Sequence, residues 1–374
     1  MMRTDSIGLY VHIPFCVRKC NYCDFCSFPY VNIKSPDLYI DALVREIASY
    51  KEKNLCVDTV FFGGGTPSLL SGENFAKIMS AVKSTFTLTA DAEITMEVNP
   101  GTITSDNAKE YIACGVNRFS IGLQSIHKNE LKILGRIHSY QEFLDSYNLL
   151  RSLGAANISV DLMYGIPEQT RDSFAESVRC VRALSPEHIS VYGLILEEGT
   201  DLWNRRDSLN IPTEDTECDM YFDALSLLSD AGYEHYEISN YAIPTKRSRH
   251  NMRYWKDEEY IGVGVAAYSY FCGERYGNTT DMDKYVRGDT CDGTMREVID
   301  LDARAYEYVM LALRISDGIS LNDYKTRFGV DFISGREGEI ARLVDLGYAV
   351  LDSDRFYLTD KGMYVSNTII CSLV

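Results

Sequence analysis

The chain has 374 residues, 45% hydrophobic and 24% charged, with a formal net charge of −17, and is long enough for one large core and a smaller second domain. Such acidity repels phosphate backbones, and no domain-scale basic patch offsets it, so the sequence argues against a nucleic-acid partner. Met1 to Gly8 lacks the apolar run and cleavage site of a signal peptide, and the longest apolar stretch, Tyr260 to Phe271, is about half a bilayer span; a cytoplasmic protein is expected.

Short apolar runs alternate with amphipathic segments. Ile7 to Ile13 reads as a strand, followed by a helix over Asp37 to Tyr50 with Leu38, Leu43, Val44 and Ile47 on one face. Strands over Val57 to Phe62 and Glu93 to Val98 follow, with helices over Glu73 to Phe86 and Ser105 to Cys114, the latter with Ser105 as N-cap. Then come a strand at Arg118 to Gly122, helices at Lys128 to Leu134 and Tyr140 to Leu153, a strand at Ile158 to Met163 and a helix at Arg171 to Leu184. His188 to Leu194 is a sixth strand, and Glu214 to Ala231 a helix. Six strand–helix units imply a parallel sheet with right-handed crossovers. Their count predicts a partial (β/α)6 TIM-like barrel over residues 1–232, with functional groups at the C-terminal strand ends.

The pattern breaks after Gly232, where polar and aromatic residues cluster from Tyr233 to Trp255, and residues 233–300 read as a connecting segment. Residues 301–374 read as a small winged-helix-like domain. Its helices are expected near Ala303 to Arg314, Leu321 to Phe328 and Gly335 to Leu346, with a hairpin at Ala349 to Asp352 and Arg355 to Leu358, and a final helix over Asp360 to Ile370.

Of 11 cysteines, four crowd into Cys16 to Cys26. Cys56, Cys114, Cys180, Cys218, Cys272 and Cys291 are scattered singly and read as small buried hydrophobes. The terminal Cys371-Ser-Leu-Val is a chance match to a prenylation box.

Cys16-x3-Cys20-x2-Cys23 directly follows the first strand. Three thiolates on one loop suit three irons of a cubane, leaving the fourth iron open. S-adenosylmethionine offers an amine and a carboxylate to that iron, and an electron from the cluster would cleave its S–C5′ bond to a 5′-deoxyadenosyl radical. Spacing alone leaves two other readings, a zinc site using Cys26 or His12 and accidental crowding. Arg18 and Lys19 favour thiolates in either metal case.

The neighbours favour the cluster. Gly63-Gly64-Gly65-Thr66-Pro67 follows the second strand, where glycines allow close backbone approach to a ligand. It is no Walker box, because no Lys-Ser/Thr follows. Glu97 ends the third strand, Gln124 follows the fourth, Arg136 comes shortly after, and Asp161 lies in the fifth. Carboxylates accept ribose hydroxyls, and arginine pairs with a carboxylate.

These residues resemble the oxygen-independent coproporphyrinogen III oxidase family of radical S-adenosylmethionine proteins. The resemblance is carried by Tyr10-Val-His-Ile-Pro-Phe-Cys16, the cysteine spacing, Asp24-Phe25 and Gly63 to Ser68. It continues through Glu97-Val-Asn-Pro-Gly, Gly115 to Ser125, Leu134-Gly-Arg-Ile-His and Asp161-Leu-Met-Tyr-Gly-Ile-Pro. It implies a [4Fe-4S] cluster on Cys16, Cys20 and Cys23. It also implies S-adenosylmethionine contacts at Tyr10, Tyr22, Gly64, Gly65, Thr66, Glu97, Gln124, Arg136 and Asp161.

Within that family the chain resembles the HemW-type heme chaperones more than the oxidase. The oxidase has a fourth cysteine two residues after the third, where this chain has Phe25, and a longer extension before its cluster loop. Cys26 stands where HemW-type chains usually carry Asn, and Tyr268 where they usually carry His. His250-Asn251-Met-Arg-Tyr254-Trp255 matches their heme-associated motif. An imidazole is a common axial ligand, aromatic faces suit a porphyrin, and Arg249 and Arg253 would pair with propionates. From the residues alone, His250 also reads as a hydrogen-bonded histidine beside buried aromatics. The resemblance implies heme as cargo, client hemoproteins that include partners at a membrane surface, and a flavodoxin- or ferredoxin-like electron donor if S-adenosylmethionine is cleaved. The alternative it leaves is oxidative decarboxylation of coproporphyrinogen III.

Overall fold

The structure is a computed structural model that describes residues 6–32 and 36–374; residues 1–5, part of the Met1 to Gly8 stretch read above, lie outside it. One sheet organises most of the chain. Strands β1 (Ile7–Ile13), β2 (Cys56–Gly64), β3 (Thr87–Val98), β4 (Arg118–Gln124), β5 (Ile158–Tyr164) and β6 (His188–Gly193) lie side by side in sequence order, all parallel. Apart from β3, which begins at exposed Thr87, six residues before the expected Glu93, each runs about as the apolar pattern predicts, because these strands are covered on both faces. All seven residues of β4 are buried, and Leu9, Val11 and Ile13 of β1 have no exposure.

Helices α1 (Pro36–Ser49), α2 (Gly72–Thr85), α3 (Ser105–Cys114), α4 (Lys128–Ile133), α5 (Tyr140–Ser152) and α6 (Arg171–Ala183) fill the crossovers, with α7 (Asp201–Arg205) and α8 (Glu214–Ser229) after β6. Their starts are chemically marked. Thr104, Ser139 and Thr170 each accept a backbone N–H at N3 while the N3 side chain returns the bond. Thr104, not Ser105, therefore caps α3, since Ser105 already has helical backbone.

Residues 233–300 do more than connect. They supply β7 (Glu234–Glu237), β8 (Asn240–Ala242), β9 (Tyr260–Val263), β10 (Tyr268–Phe271), β11 (Glu274–Asn278) and β12 (Cys291–Val298) to the same sheet. Its order is β12-β11-β10-β9-β1-β2-β3-β4-β5-β6-β8-β7. Strand β9 pairs parallel to β1, with Tyr10 opposite Gly262, and so makes a seventh parallel strand. The Tyr260 to Phe271 run is thus two antiparallel strands, and among the described residues no helix is long and apolar enough to cross a membrane. Helix α9 (Arg249–Trp255) lies between these additions.

The C-terminal block has its own core around Val309, Phe332, Phe356 and Leu358. Its helices are Leu301–Ala312, Leu321–Phe328, Glu337–Asp345, Asp360–Tyr364 and Ser366–Leu373. Ile319–Ser320 adds a third strand beside the expected hairpin of Ala349–Leu351 and Arg355–Leu358. The block is fastened to the sheet edge by Ile238 N–H to the Arg314 carbonyl (3.0 Å), Ser316 N–H to the Tyr236 carbonyl (2.9 Å) and the Arg304–Asp257 ion pair (2.7 Å). The scattered cysteines are less buried than expected: Cys56, Cys114, Cys180 and Cys218 are half-buried, and Cys272 and Cys291 exposed.

Candidate radical SAM site

The cysteine loop is pinned at both ends. Phe15–Cys16 pairs with Phe28–Pro29, and Phe28 N–H donates to the Pro14 carbonyl at 2.7 Å. Its middle is tied to the turn after α4: Asn21 donates through its backbone to Leu134 and through its side chain to Ile133, each at 2.9 Å. That turn delivers Arg136. Its Nη1 lies 3.6 Å from Cys20 Sγ, and its Nη2 donates to Asn99 Oδ1 (2.9 Å) and to the Gly122 carbonyl. Thr66 Oγ1 donates to Cys16 Sγ at 3.7 Å and accepts from Asn99 Nδ2 at 2.7 Å. Two of the three cysteines thus have a side-chain donor aimed at sulfur, and Cys23 has the Phe25 backbone N–H, which favours thiolate. Burial opposes this, raising the Cys16 thiol and pushing Cys23 up to about 11; binding iron would displace those protons.

The donor set fits an iron–sulfur cluster. Among the described residues no three His, Cys, Asp or Glu side chains gather around one point tightly enough for a single metal ion. The thiols of Cys16, Cys20 and Cys23 are free, and thiolates are the ligands an iron–sulfur cluster takes. Buried donors also await a partner, for Arg136 Nε and Arg118 Nε are both enclosed without an acceptor.

Packing within the sheet also demands the glycine loop. Gly64 adopts φ +108°, and a Cβ there would run into the His12 ring. A Cβ on Gly65 would lie 2.7 Å from the Phe15 carbonyl oxygen and 2.8 Å from that of Ile13. Close packing of β2 on β1 imposes these glycines. It holds Gly65 N–H on Ile13 O and Thr66 N–H on Phe15 O, at 2.8 and 2.6 Å.

An inner cavity of about 280 Å³ opens at the strand ends. Of the residues expected to touch S-adenosylmethionine, Tyr10, Gly64, Glu97 and Asp161 line it. Arg136 and Thr66 stand at the cysteines, and Gln124 ends β4 in a left-handed conformation, φ 69°. Tyr22 packs against Leu134 and Met163. Glu97 accepts Gly64 N–H at 3.2 Å. Burial, with the Asp161 carboxylate beside it, pushes Glu97 up to about 8. Burial also raises Asp161, against the opposing pull of Ser190, Arg118 and Ser120.

Sequence reasoning missed the rest of this wall: Arg118, Ser120, His188, Ser190 and Tyr192. A signal existed. Arg118 and Ser120 in β4, and His188, Ser190 and Tyr192 in β6, recur every second residue on otherwise apolar strands, so each set faces one side.

The His250 motif is not gathered into one site. His250 is 1% exposed. Its Nδ1 meets Thr59 Oγ1 at 2.9 Å and its Nε2 meets Tyr254 Oη at 2.8 Å, so both ring nitrogens are engaged. Its ring stacks on Phe61 at 5.2 Å between centroids. Burial, then the charges of Arg253 and Arg118, pushes it down to about 3. In this structure the ring is a sealed part of the framework, with both nitrogens engaged by hydroxyls. Arg253 is held by Asp58 and Glu258, and Arg249 by Asp58 and Asp91, so neither is free for a propionate. Trp255 packs with Tyr236, Met252 and Ile315, on the side of the C-terminal block. Asn251 lines the inner cavity. Tyr254 lines a second, more open cavity of about 540 Å³ with Tyr10, His12, Asp24, Phe25, Cys26, Tyr260 and Tyr268.

Comparison with known proteins agrees with this geometry. Residues 10–181 match the radical SAM superfamily, and residues 299–365 match the HemN C-terminal domain. The chain is 34% identical to the heme chaperone HemW of Lactococcus lactis, over 96% of this chain and 95% of that one. It is likewise 34% identical to HemW of Escherichia coli, over 99% and 98%. The solved structure of E. coli coproporphyrinogen III oxidase (HemN), a radical SAM enzyme, superposes with a TM-score of 0.86 at 24% identity. The match covers 100% of this chain and 91% of that one, and at that identity it shows a shared fold. Full-length similarity, the cysteine loop and the strand-end cavity agree: this chain belongs to the HemW family of radical SAM proteins.

Proposed function

We propose that this protein is a heme chaperone that binds heme and delivers it to hemoproteins, with a [4Fe-4S] cluster and S-adenosylmethionine bound beside the cargo. The reading is carried by one observation, end-to-end similarity to chains named heme chaperones. It is supported by the aromatic-walled cavity of about 540 Å³ that adjoins the cysteine loop.

Cys16, Cys20 and Cys23 would hold the cluster, with Arg136 and Thr66 steadying two of the sulfurs. When bound, the cluster and S-adenosylmethionine supply one-electron cleavage chemistry. Glu97, largely protonated at neutral pH before ligand arrives, and Asp161 would accept ribose hydroxyls. Arg118 and Arg136 would bring unpartnered N–H donors to a carboxylate. Tyr10 lines both cavities, so the two sites would share a wall.

The chaperone would act in the cytoplasm, with clients that include hemoproteins at a membrane surface. A flavodoxin- or ferredoxin-like donor is needed only if S-adenosylmethionine is cleaved. Oxidative decarboxylation of coproporphyrinogen III is the competing activity, because the same cavity residues would serve it. Anaerobic reconstitution followed by heme titration, with a parallel coproporphyrinogen assay, tests the reading. Stoichiometric heme binding without porphyrin conversion is expected.

A further inference from the structure

The outer cavity presents a specific set of groups to its contents. Tyr254, Tyr260, Tyr268 and the 63% exposed Phe25 all line it. Flat apolar walls of this kind suit a planar macrocycle. The inner cavity has about half the volume and is lined by Arg118, Glu97, Asp161 and His188, which suits a smaller polar ligand.

An iron held in the outer cavity needs a donor, and some candidates there are engaged. His12 Nδ1 meets Tyr10 Oη at 2.9 Å, and its Nε2 meets the Cys26 carbonyl at 2.8 Å. Tyr254 Oη is committed to His250, which lies behind it. Asp24, Cys26, Tyr260 and Tyr268 remain, and for two of these the structure gives one weak contact each. Cys26 Sγ makes one long contact to the Thr280 carbonyl at 3.8 Å, and Tyr268 Oη one to Met295 Sδ at 4.0 Å. Of these, a cysteine thiolate binds ferric heme iron more strongly than a neutral phenol does. Burial raises the Cys26 thiol, and the nearby Lys19 charge partly offsets this.

We propose that heme occupies this outer cavity with Cys26 as its axial ligand, three residues beyond the last cluster cysteine. The inference deepens the chaperone reading and rests on it. Ligation forms one Fe–S bond, displaces water or chloride from ferric heme and releases the thiol proton to solvent, so no oxidant or reductant is consumed. It also separates two jobs on one loop, with Cys16, Cys20 and Cys23 serving the cluster and Cys26 the cargo.

The test uses the full chain, anaerobically reconstituted and titrated with hemin. Ligation is read by electron paramagnetic resonance of the ferric heme and by the Soret band of its ferrous–CO adduct. Wild type is expected to show thiolate ligation. Cys26→Ser is expected to lose that signature and bind hemin at least tenfold more weakly, with cluster iron unchanged. Cys26→His is expected to restore tight binding with an imidazole signature, and Tyr268→Phe to keep the thiolate signature. Identical heme spectra and affinity in wild type and Cys26→Ser would overturn the assignment while leaving the chaperone reading standing. Loss of the wild-type signature in Tyr268→Phe but not in Cys26→Ser would overturn it in favour of the phenol. Loss of cluster iron in Cys26→Ser would make Cys26 a cluster ligand and overturn it too. Absence of hemin binding by wild type would remove the chaperone reading itself.

Discussion

His250 Nε2 lies 2.8 Å from Tyr254 Oη, one helical turn away, while its Nδ1 meets Thr59 on β2 at 2.9 Å. The two bonds fasten helix α9 to the sheet behind the cavities. Glu93 completes the fastening by accepting the first backbone N–H groups of the helix, from Arg249 and His250, at 3.2 and 3.1 Å.

His250→Ala should therefore act on stability. It removes a packed ring and orphans the buried Thr59 and Tyr254 hydroxyls, a loss of about 3 kcal/mol. Denaturant unfolding of the reconstituted protein measures it. An unchanged midpoint, with heme binding alone abolished, would mean that His250 contacts the cargo directly.

The same ring sets an acid limb. Its pKa is depressed to about 3 in the fold against an ordinary 6.5. The unfolded chain therefore binds the proton first, and the stability His250 contributes is fully present above about 6.5 and is lost as pH falls toward 3. Glu97 runs the other way. Raised to about 8 from an ordinary 4.5, its contribution is full below 4.5 and is lost as pH rises through 8. Glu97→Gln should flatten the decline of stability between pH 5 and 8 in pH-resolved unfolding, roughly its titration window, and weaken S-adenosylmethionine binding in equilibrium dialysis. A variant that kept the wild-type slope would place the titration elsewhere.

Arg136→Lys keeps the charge and loses the fork that spans Cys20, Asn99 and Gly122. Cluster content should fall only modestly, and S-adenosylmethionine affinity about tenfold, a 1.4 kcal/mol effect. Iron analysis together with dialysis separates the two.

Gly65→Ala places a Cβ against two backbone carbonyls of the first strand and its extension. Carbonyls cannot move aside as side chains do, so β1 and β2 must separate near the cysteine loop. The expected result is loss of cluster iron with most far-ultraviolet dichroism retained. Full iron loading would show that the packing there relaxes.

These cases mark what the sequence could reveal. Strands β1 to β6 were legible because each is a continuous apolar run bounded by helix signals, and burial on both faces demands that pattern. The strands added by residues 233–300 were not. Strands β9 and β10 are four residues each, and their role depends on Tyr10 pairing with Gly262. The cysteine loop and Glu97 were legible as spacing and strand-end placement. The environment of His250 was not, since Thr59 lies 191 residues away in the chain. A local motif fixes which residues are neighbours along α9; only the fold decides that Tyr254 meets a cavity while His250 is sealed behind it.

A heme chaperone carries heme beside its radical SAM cluster without converting a porphyrin. The most direct test is anaerobic hemin titration of the reconstituted protein, with coproporphyrinogen turnover assayed on the same sample under a strong reductant. Saturable hemin binding at one heme per chain, with no decarboxylated product, is expected. Conversion of coproporphyrinogen III, without saturable hemin binding, would contradict it.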